Sequence, residues 1–353
     1  MQLLTNFRHA LSVSPLLLAM CACGAGSDGV SATTGELQEA ELVCDSVGAG
    51  QGWRNQPMPD SQGVFSVGWT STPSQHSMDA VLGLSNGPAA AFTDLGPIVR
   101  FGPLSSIDAR NGSSYSGNGF DYTGGVGPFG FQLRIDVPAH RYSAWVRHLD
   151  SPYKDFELLA QDFDFRTEQA GVTRLNSWGK FVDSSTGVIS SCNFEQNPAN
   201  GCVQTFAGAW QSRPFTTIDS RRADLTFYAW VSDPNIDAVV GAASGAPSSF
   251  SQLAAIVRFR PDGHIDVRNG AAYAADVELS YSPNGYYAIE MLVDLSQGTY
   301  SVYVTPPGQI GGVTLASDYA LRTEQQGVKS LDHLAQFVDG TPGELNTCAL
   351  VSR

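Results

Sequence analysis

The pairs Arg100 with Asp108 and Arg258 with Asp266 are the residues best placed by type and spacing to do chemistry. Each pair spans a short turn between two apolar stretches, Ile98–Phe101 before Ile107–Asn111, and Ile256–Phe259 before Ile265–Asn269. A β-hairpin over such stretches alternates its side chains. Arg258, Asp266 and Arg268 then share one face, opposite Ile265 and Val267, and Arg100, Asp108 and Arg110 share the matching face. Two roles suit this grouping: a polar face that holds sugar hydroxyls, or a cross-strand ion pair that fixes register. The triplets Arg166-Thr167-Glu168 and Arg322-Thr323-Glu324 divide in the same way, with the ion pair as the first reading. Trp145 and Tyr303 point away from Tyr142, Ala144 and Val146 and from Tyr300, Val302 and Val304. A ring on that face can stack on a sugar or lie buried under a loop. Asp79 and Asp237, with Asp183 and Asp339, supply oxygens of the kind calcium takes.

These residues come in twos because the chain repeats itself at an offset of about 156 to 158 residues. Ile98-Val99-Arg100-Phe101 returns as Ile256-Val257-Arg258-Phe259, and Arg166-Thr167-Glu168-Gln169 returns as Arg322-Thr323-Glu324-Gln325. A period this long is a duplicated domain. Of six cysteines, Cys21 and Cys23 lie near the start, and Cys44, Cys192, Cys202 and Cys348 open and close the two units. Trp53 and Trp210 follow the opening cysteines at similar distances. Equivalence of the units selects the bonds Cys44–Cys192 and Cys202–Cys348 over the alternative Cys192–Cys202. The expected plan is a signal peptide over 1–23, a flexible tether over 24–43, a β-sandwich over 44–195, a linker over 196–201 and a second β-sandwich over 202–353.

The first residues set the address. A weakly basic start, an apolar run from Ala10 to Met20 too short to span a bilayer, and Met20-Cys21-Ala22-Cys23-Gly24 read as a signal peptide with a lipobox-like end. Cys23, preceded by Ala22, is the expected lipidation site, with plain cleavage as the alternative. The protein is therefore expected to be exported, as a cell-surface or outer-membrane lipoprotein or a secreted protein, touching membrane only through that anchor. A net charge of -14 argues against nucleic acid. With 15 % charged residues, 37 Gly, 19 Pro and 42 % hydrophobic residues, the chain has the makings of a turn-rich all-β protein rather than a disordered one.

The second unit shows the strand rhythm most clearly. Strands are expected over Leu225–Val231, Ala254–Phe259, Ile265–Val267, Tyr286–Leu295 and Tyr300–Thr305, and a final hairpin over Ala335–Asp339 and Leu345–Leu350. Joined ends and many antiparallel strands predict two tandem sandwiches. The hairpin Ile256–Asn269, the alternating pair Ile289–Val304, and Leu175-Asn176-Ser177-Trp178 with Leu331-Asp332 give each unit a likeness. It resembles the concanavalin A-like lectin and glucanase superfamily, in the manner of laminin-G-like domains. The resemblance implies an all-β jelly roll in each unit and, from laminin-G-like members, a calcium ion. It does not imply one function, since the superfamily spans lectins, glycosidases, lyases and protein-binding modules.

The catalytic motifs of that superfamily are not matched. Laminarinase-type members carry Glu-x-Asp-x-x-Glu, whereas Asp155-Phe156-Glu157 is the nearest segment here and the second unit lacks it. Alginate lyase-like members extend Arg-Ser/Thr-Glu with Leu and Arg, but Gln169-Ala170 and Gln325-Gln326 follow the triplets here. No histidine of one unit has a counterpart in the other. The expected function is a non-catalytic, lectin-like surface protein whose partner is a polysaccharide or glycan. Its alternatives are an adhesive envelope module that binds proteins, and a polysaccharide lyase or glycosidase.

Overall fold

The structure, a computed structural model, describes residues 44–151, 155–184, 186–198, 201–219, 222–340 and 342–353. The leader, Cys23 and the tether lie outside the described residues. Among the described residues, no helix is long and apolar enough to cross a membrane.

Each repeat is a sandwich of two six-stranded antiparallel sheets. In the first repeat one sheet runs, in spatial order, β1 (Cys44–Gly48), β12 (Val188–Gln196), β3 (Val64–Pro73), β8 (Phe129–Asp136), β9 (Arg141–His148) and β10 (Glu157–Asp164). Its mate runs β2 (Arg54–Ser61), β11 (Leu175–Val182), β4 (Ala80–Ser85), β5 (Leu95–Phe101), β6 (Ser106–Asn111) and β7 (Ser114–Asp121). The second repeat copies this order. One sheet is β13 (Val203–Phe206), β24 (Glu344–Ser352), β15 (Ala223–Val231), β20 (Tyr287–Asp294), β21 (Thr299–Thr305) and β22 (Val313–Ala320). The other is β14 (Trp210–Ile218), β23 (Leu331–Val338), β16 (Ala238–Ala243), β17 (Leu253–Phe259), β18 (His264–Asn269) and β19 (Ala272–Ser280). The first four strands of each repeat alternate between sheets, and the last two return to pair beside them. This is a two-sheet antiparallel β-sandwich of jelly-roll type, in duplicate.

Alternation explains which residues fill each core. Ile289, Met291 and Val293 of β20 and Tyr300, Val302 and Val304 of β21 all turn inward and are buried. Tyr142, Ala144 and Val146 of β9 do the same in the first repeat. Each fully buried aliphatic side chain contributes about 1.5–3 kcal/mol. A tyrosine crosses each core to tie the sheets together. The Tyr142 hydroxyl lies 2.7 Å from the Ile98 carbonyl and 2.6 Å from that of Arg110, and Tyr300 reaches those of Ile256 at 3.1 Å and Arg268 at 2.5 Å. Burial pushes both phenols well above their usual pKa, so they stay donors. The carbonyls they hold belong to the strands that carry the hairpin arginines.

The disulfides are Cys44–Cys192 and Cys202–Cys348, as the duplication requires. Cys44 sits opposite Cys192 in the β1–β12 register, so the bond clasps the first strand to the last. Such bonds belong to an oxidising compartment.

The expected final hairpin does not form. The last two strands lie in different sheets, β23 beside β16 and β24 beside β15. β23 ends at Val338 in one sheet and β24 starts at Glu344 in the other, and a turn signal in the sequence does not distinguish such a crossing from a hairpin.

The repeats meet through the outer faces of the β1- and β13-containing sheets. Trp145 stacks on Tyr286 at 5.9 Å and on Trp230 at 6.3 Å, with Tyr228, Phe156 and Val351 around them. Polar links surround this plug. The Ala349 amide donates to Gln132 Oε1 at 2.5 Å, Tyr286 Oη lies 2.9 Å from Ser143 Oγ, and the Leu158 amide donates to Tyr228 Oη at 3.2 Å. The result is four stacked sheets. The two that meet are called inner below, and the β2- and β14-containing sheets are called outer.

Candidate functional site

The outer sheets carry the same side chains on the same exposed-side face. In the second repeat, one row crosses five strands in register: Trp210, Phe337, Val239, Arg258 and Asp266. Strands lie about 4.8 Å apart, so the row is about 19 Å long. In the first repeat Phe181, Val81, Arg100 and Asp108 stand in the same register, with Trp53 stacked at the Phe181 end.

At one end of each row is an aromatic triad. Trp210 lies 4.8 Å from Phe337 and 5.4 Å from Phe250, and Phe250 meets Phe337 edge-on at 5.1 Å. Trp53, Phe181 and Phe92 repeat this at 5.1, 5.4 and 5.3 Å. All six rings are half-buried, so each triad keeps apolar surface open to solvent.

The polar end is a stack of charge on tyrosine. Arg258 binds Asp266 through two parallel bonds, Nε to Oδ1 at 2.9 Å and Nη2 to Oδ2 at 2.6 Å. Its guanidinium lies 3.8 Å over the Tyr273 ring, with that of Arg268 at 5.1 Å. Arg100, Asp108, Tyr115 and Arg110 match this at 3.0 and 2.7 Å for the ion pair and 3.7 and 5.0 Å for the rings. Arg268 Nε donates to the Gly270 carbonyl at 2.9 Å, and Arg110 Nε to that of Gly112 at 3.1 Å. Among the described residues neither Arg110 nor Arg268 has a carboxylate at ion-pair distance.

The Arg-Thr-Glu-Gln motifs form short 3-10 turns that position the rest. Arg322 Nε is 3.0 Å from Glu324, and Gln325 donates to the Ser251 carbonyl at 2.7 Å, fixing the turn that presents Phe250. Arg166, Glu168 and Gln169 do the same to Thr93 beside Phe92. Between these features lies a cavity of about 240 Å³, lined by Asp237, Phe250, Arg258, Arg268, Tyr273 and Arg322 among others. Its charge is nearly balanced. Arg258, Arg268 and Arg322 face Asp237, Asp266, Asp339 and Glu324.

Electrostatics follow from this mixture. Burial works against the Arg258 charge, but the Asp266 hydrogen bonds outweigh it and raise its pKa. Burial lifts the Asp237 carboxyl, Arg258 opposes the rise, and Asp339 and Asp266 add to it. Asp79 rises in the same way beside Arg100, Asp183 and Asp108. Burial raises Tyr273 despite both arginines, so its hydroxyl stays protonated.

The sequence-selected residues divide in two. Arg100, Asp108, Arg110, Arg258, Asp266 and Arg268 stand together on the outer faces, with the ion pairs formed. Trp145 and Tyr303 do not stand with them. Trp145 is wholly buried between the repeats, so its ring has no face left for a sugar. Tyr303 is half-buried on the inner sheet near Glu290 and Thr305. The calcium expectation at Asp79 and Asp237 does not fit. The Asp79 carboxylate lies 3.9 Å from the Arg100 guanidinium, which supplies the positive charge an ion would bring. Among the described residues, no group of three or more His, Cys, Asp or Glu is arranged for a metal. Sequence reading missed Tyr115 and Tyr273, Phe92 and Phe250, and Phe181 and Phe337. Their signal was present in the same self-comparison, which returns each aromatic at the same offset.

No protein-family model matches the chain. It is similar to a protein named gellan lyase from Bacillus sp., at 32 % identity over 81 residues. That stretch is 23 % of this chain and 3 % of the relative's length. Among solved structures, lectin I-B4 from Griffonia simplicifolia is similar over 43 % of this chain and 93 % of its own, at 8 % identity and a TM-score of 0.30. The LG1-3 region of the laminin alpha2 chain covers 85 % of this chain and 64 % of its own, at 11 % identity and a TM-score of 0.27. A sialidase covers 77 % of this chain and 32 % of its own, at 10 % identity and a TM-score of 0.30.

Proposed function

We propose that each repeat binds a carbohydrate chain across its outer sheet, stacking sugar rings on the aromatic triad and holding hydroxyls at the Arg–Tyr–Arg stack. One observation carries this reading. The two repeats keep the same set of outward-facing side chains, from Trp53 and Trp210 to Asp108 and Asp266, on a face that no other layer of the described fold covers. Aromatic rings beside paired charged groups suit a sugar, which has apolar ring faces and a polar edge. The near-neutral charge of the site favours uncharged sugar units over acidic ones, and the net charge of -14 opposes a polyanion at long range. A cavity of about 240 Å³ suits one sugar ring better than a drug-sized ligand, which takes about 300–1,000 Å³. The match to a protein named gellan lyase supports a carbohydrate partner.

The test is a titration with hydroxyethylcellulose, a galactomannan, a xylan and gellan. Binding to a neutral member that is lost in Arg110→Ala/Arg268→Ala supports the reading. Absence of binding across the panel overturns it.

A second reading, polysaccharide lyase, draws on the gellan lyase match and on Tyr273 beside two guanidiniums. Burial keeps that phenol protonated, which suits hydrogen bonding more than proton abstraction. New ultraviolet absorbance from unsaturated products on gellan would favour catalysis. The reading takes 44–195 and 202–353 as the two binding units of an exported protein, joined by 196–201 and anchored through Cys23. Loss of membrane association in Cys23→Ser would support the anchor.

A further inference from the structure

The repeats agree where they face outward and differ where they touch. Trp145 in the inner sheet of the first repeat corresponds to Tyr303 in the second, and Trp230 corresponds to Thr72. These differences build an asymmetric joint in which Trp145, Trp230 and Tyr286 interlock. Bonds on both flanks of the joint fix its orientation. Gln161 Nε2 donates to the Asn284 carbonyl at 2.8 Å, and Thr226 Oγ1 donates to Asp155 at 2.6 Å. Arg353 pairs with the same Asp155.

Because the inner sheets are joined face to face, the outer sheets are the first and last of four layers. Stacked sheets lie about 10 Å apart, which puts the outermost two about 30 Å from each other. Their aromatic triads and arginine–tyrosine stacks face away from one another. A chain lying straight along one outer face stays on that side of the four layers and does not reach the second triad.

We infer that one molecule bridges two separate polysaccharide chains, holding one on each outer sheet. This rests on the carbohydrate reading above, and it adds that the joint exists to oppose the two sites. A bridging protein gains avidity on a surface that offers many chains, because the second attachment becomes intramolecular once the first is made.

A two-step capture assay tests it. Biotinylated hydroxyethylcellulose is fixed to a sensor and saturated with the full chain, and fluorescein-labelled hydroxyethylcellulose is then passed over it. The galactomannan, the xylan and gellan are run in parallel in the same format. Wild type is expected to bind the sensor and capture labelled polymer. Trp53→Ala/Arg110→Ala and Trp210→Ala/Arg268→Ala, each checked for unchanged thermal unfolding, are expected to bind the sensor through the remaining site and capture less than a tenth as much. As a milder pair, Arg110→Lys and Arg268→Lys are expected to reduce capture in the same direction. Sensor binding by wild type without capture overturns bridging alone. Capture by both one-site variants at the wild-type level also overturns it, by showing that molecules associate with each other. No sensor binding with any of the four polymers overturns the carbohydrate reading and bridging with it.

Discussion

Arg268 and Arg110 hold the decisive positions at the scale of single residues. Every other cation of the two sites is matched by a nearby carboxylate, Arg258 by Asp266, Arg100 by Asp108, Arg322 by Glu324 and Arg166 by Glu168. Removing Arg268 therefore takes away hydrogen-bond donors without stranding a buried charge. Charge-assisted hydrogen bonds contribute about 1.5–3 kcal/mol, so Arg268→Ala is expected to weaken glycan binding at the second repeat about tenfold or more, by calorimetry, with little change in Tm. Asp224 makes a different residue-scale prediction. Burial raises its carboxyl to about 6, although Arg353 at 3.4 Å pulls the other way. A folded pKa above the ordinary 3.8 means that the ionised form costs stability. The cost is absent below pH 3.8, grows as pH rises, and is fully present above about 6. Asp224→Asn is therefore expected to raise Tm at pH 7.5, and the gain is expected to vanish at about pH 3.5, in paired melting curves.

Strands and turns set how precisely those residues are held. Tyr300 in β21 anchors carbonyls of β17 and β18 from across the core, directly beneath Arg258 and Arg268. Tyr300→Phe would remove the one hydroxyl proton these carbonyls share and the oxygen that accepts from the Ile256 amide. The expected cost is about 1–3 kcal/mol in chemical denaturation, with weaker glycan binding at the second repeat. Much at this scale could be read from the sequence. Period-two alternation placed Ile265 and Val267 in the core and Arg258, Asp266 and Arg268 on the opposite face, because one buried face leaves a strand no freedom of register. The ion pairs were legible for the same reason. What alternation could not reveal was the partner sheet of each strand. The last two strands looked like a hairpin because a Gly-rich turn joins them, whereas long-range pairing with β15 and β16 decides their place. The aromatic triads were hidden differently, since Trp210, Phe250 and Phe337 come from three distant segments and meet only when the sheet forms.

At the scale of the whole molecule, the joint between repeats explains why Trp145 could not be assigned from sequence. Its direction was right, away from its own core, but a second sandwich occupies the space it points into. Trp145→Ala removes a wholly buried ring, at an expected cost of about 3–5 kcal/mol, and is expected to loosen the repeats while leaving each glycan site intact. Differential scanning calorimetry should then resolve two transitions in place of one. The two disulfides close loops of 148 and 146 residues, each contributing about 4 to 5 kcal/mol in the chain-entropy picture. The central claim is that the duplicated outer faces are the binding surfaces. It is tested most directly by calorimetric titration of the full chain and of Arg110→Ala/Arg268→Ala with the polysaccharide panel. Two sites per wild-type molecule, and a double variant of unchanged fold weakened about tenfold or more at both, are the predicted result. A double variant that binds as tightly as wild type would contradict the claim.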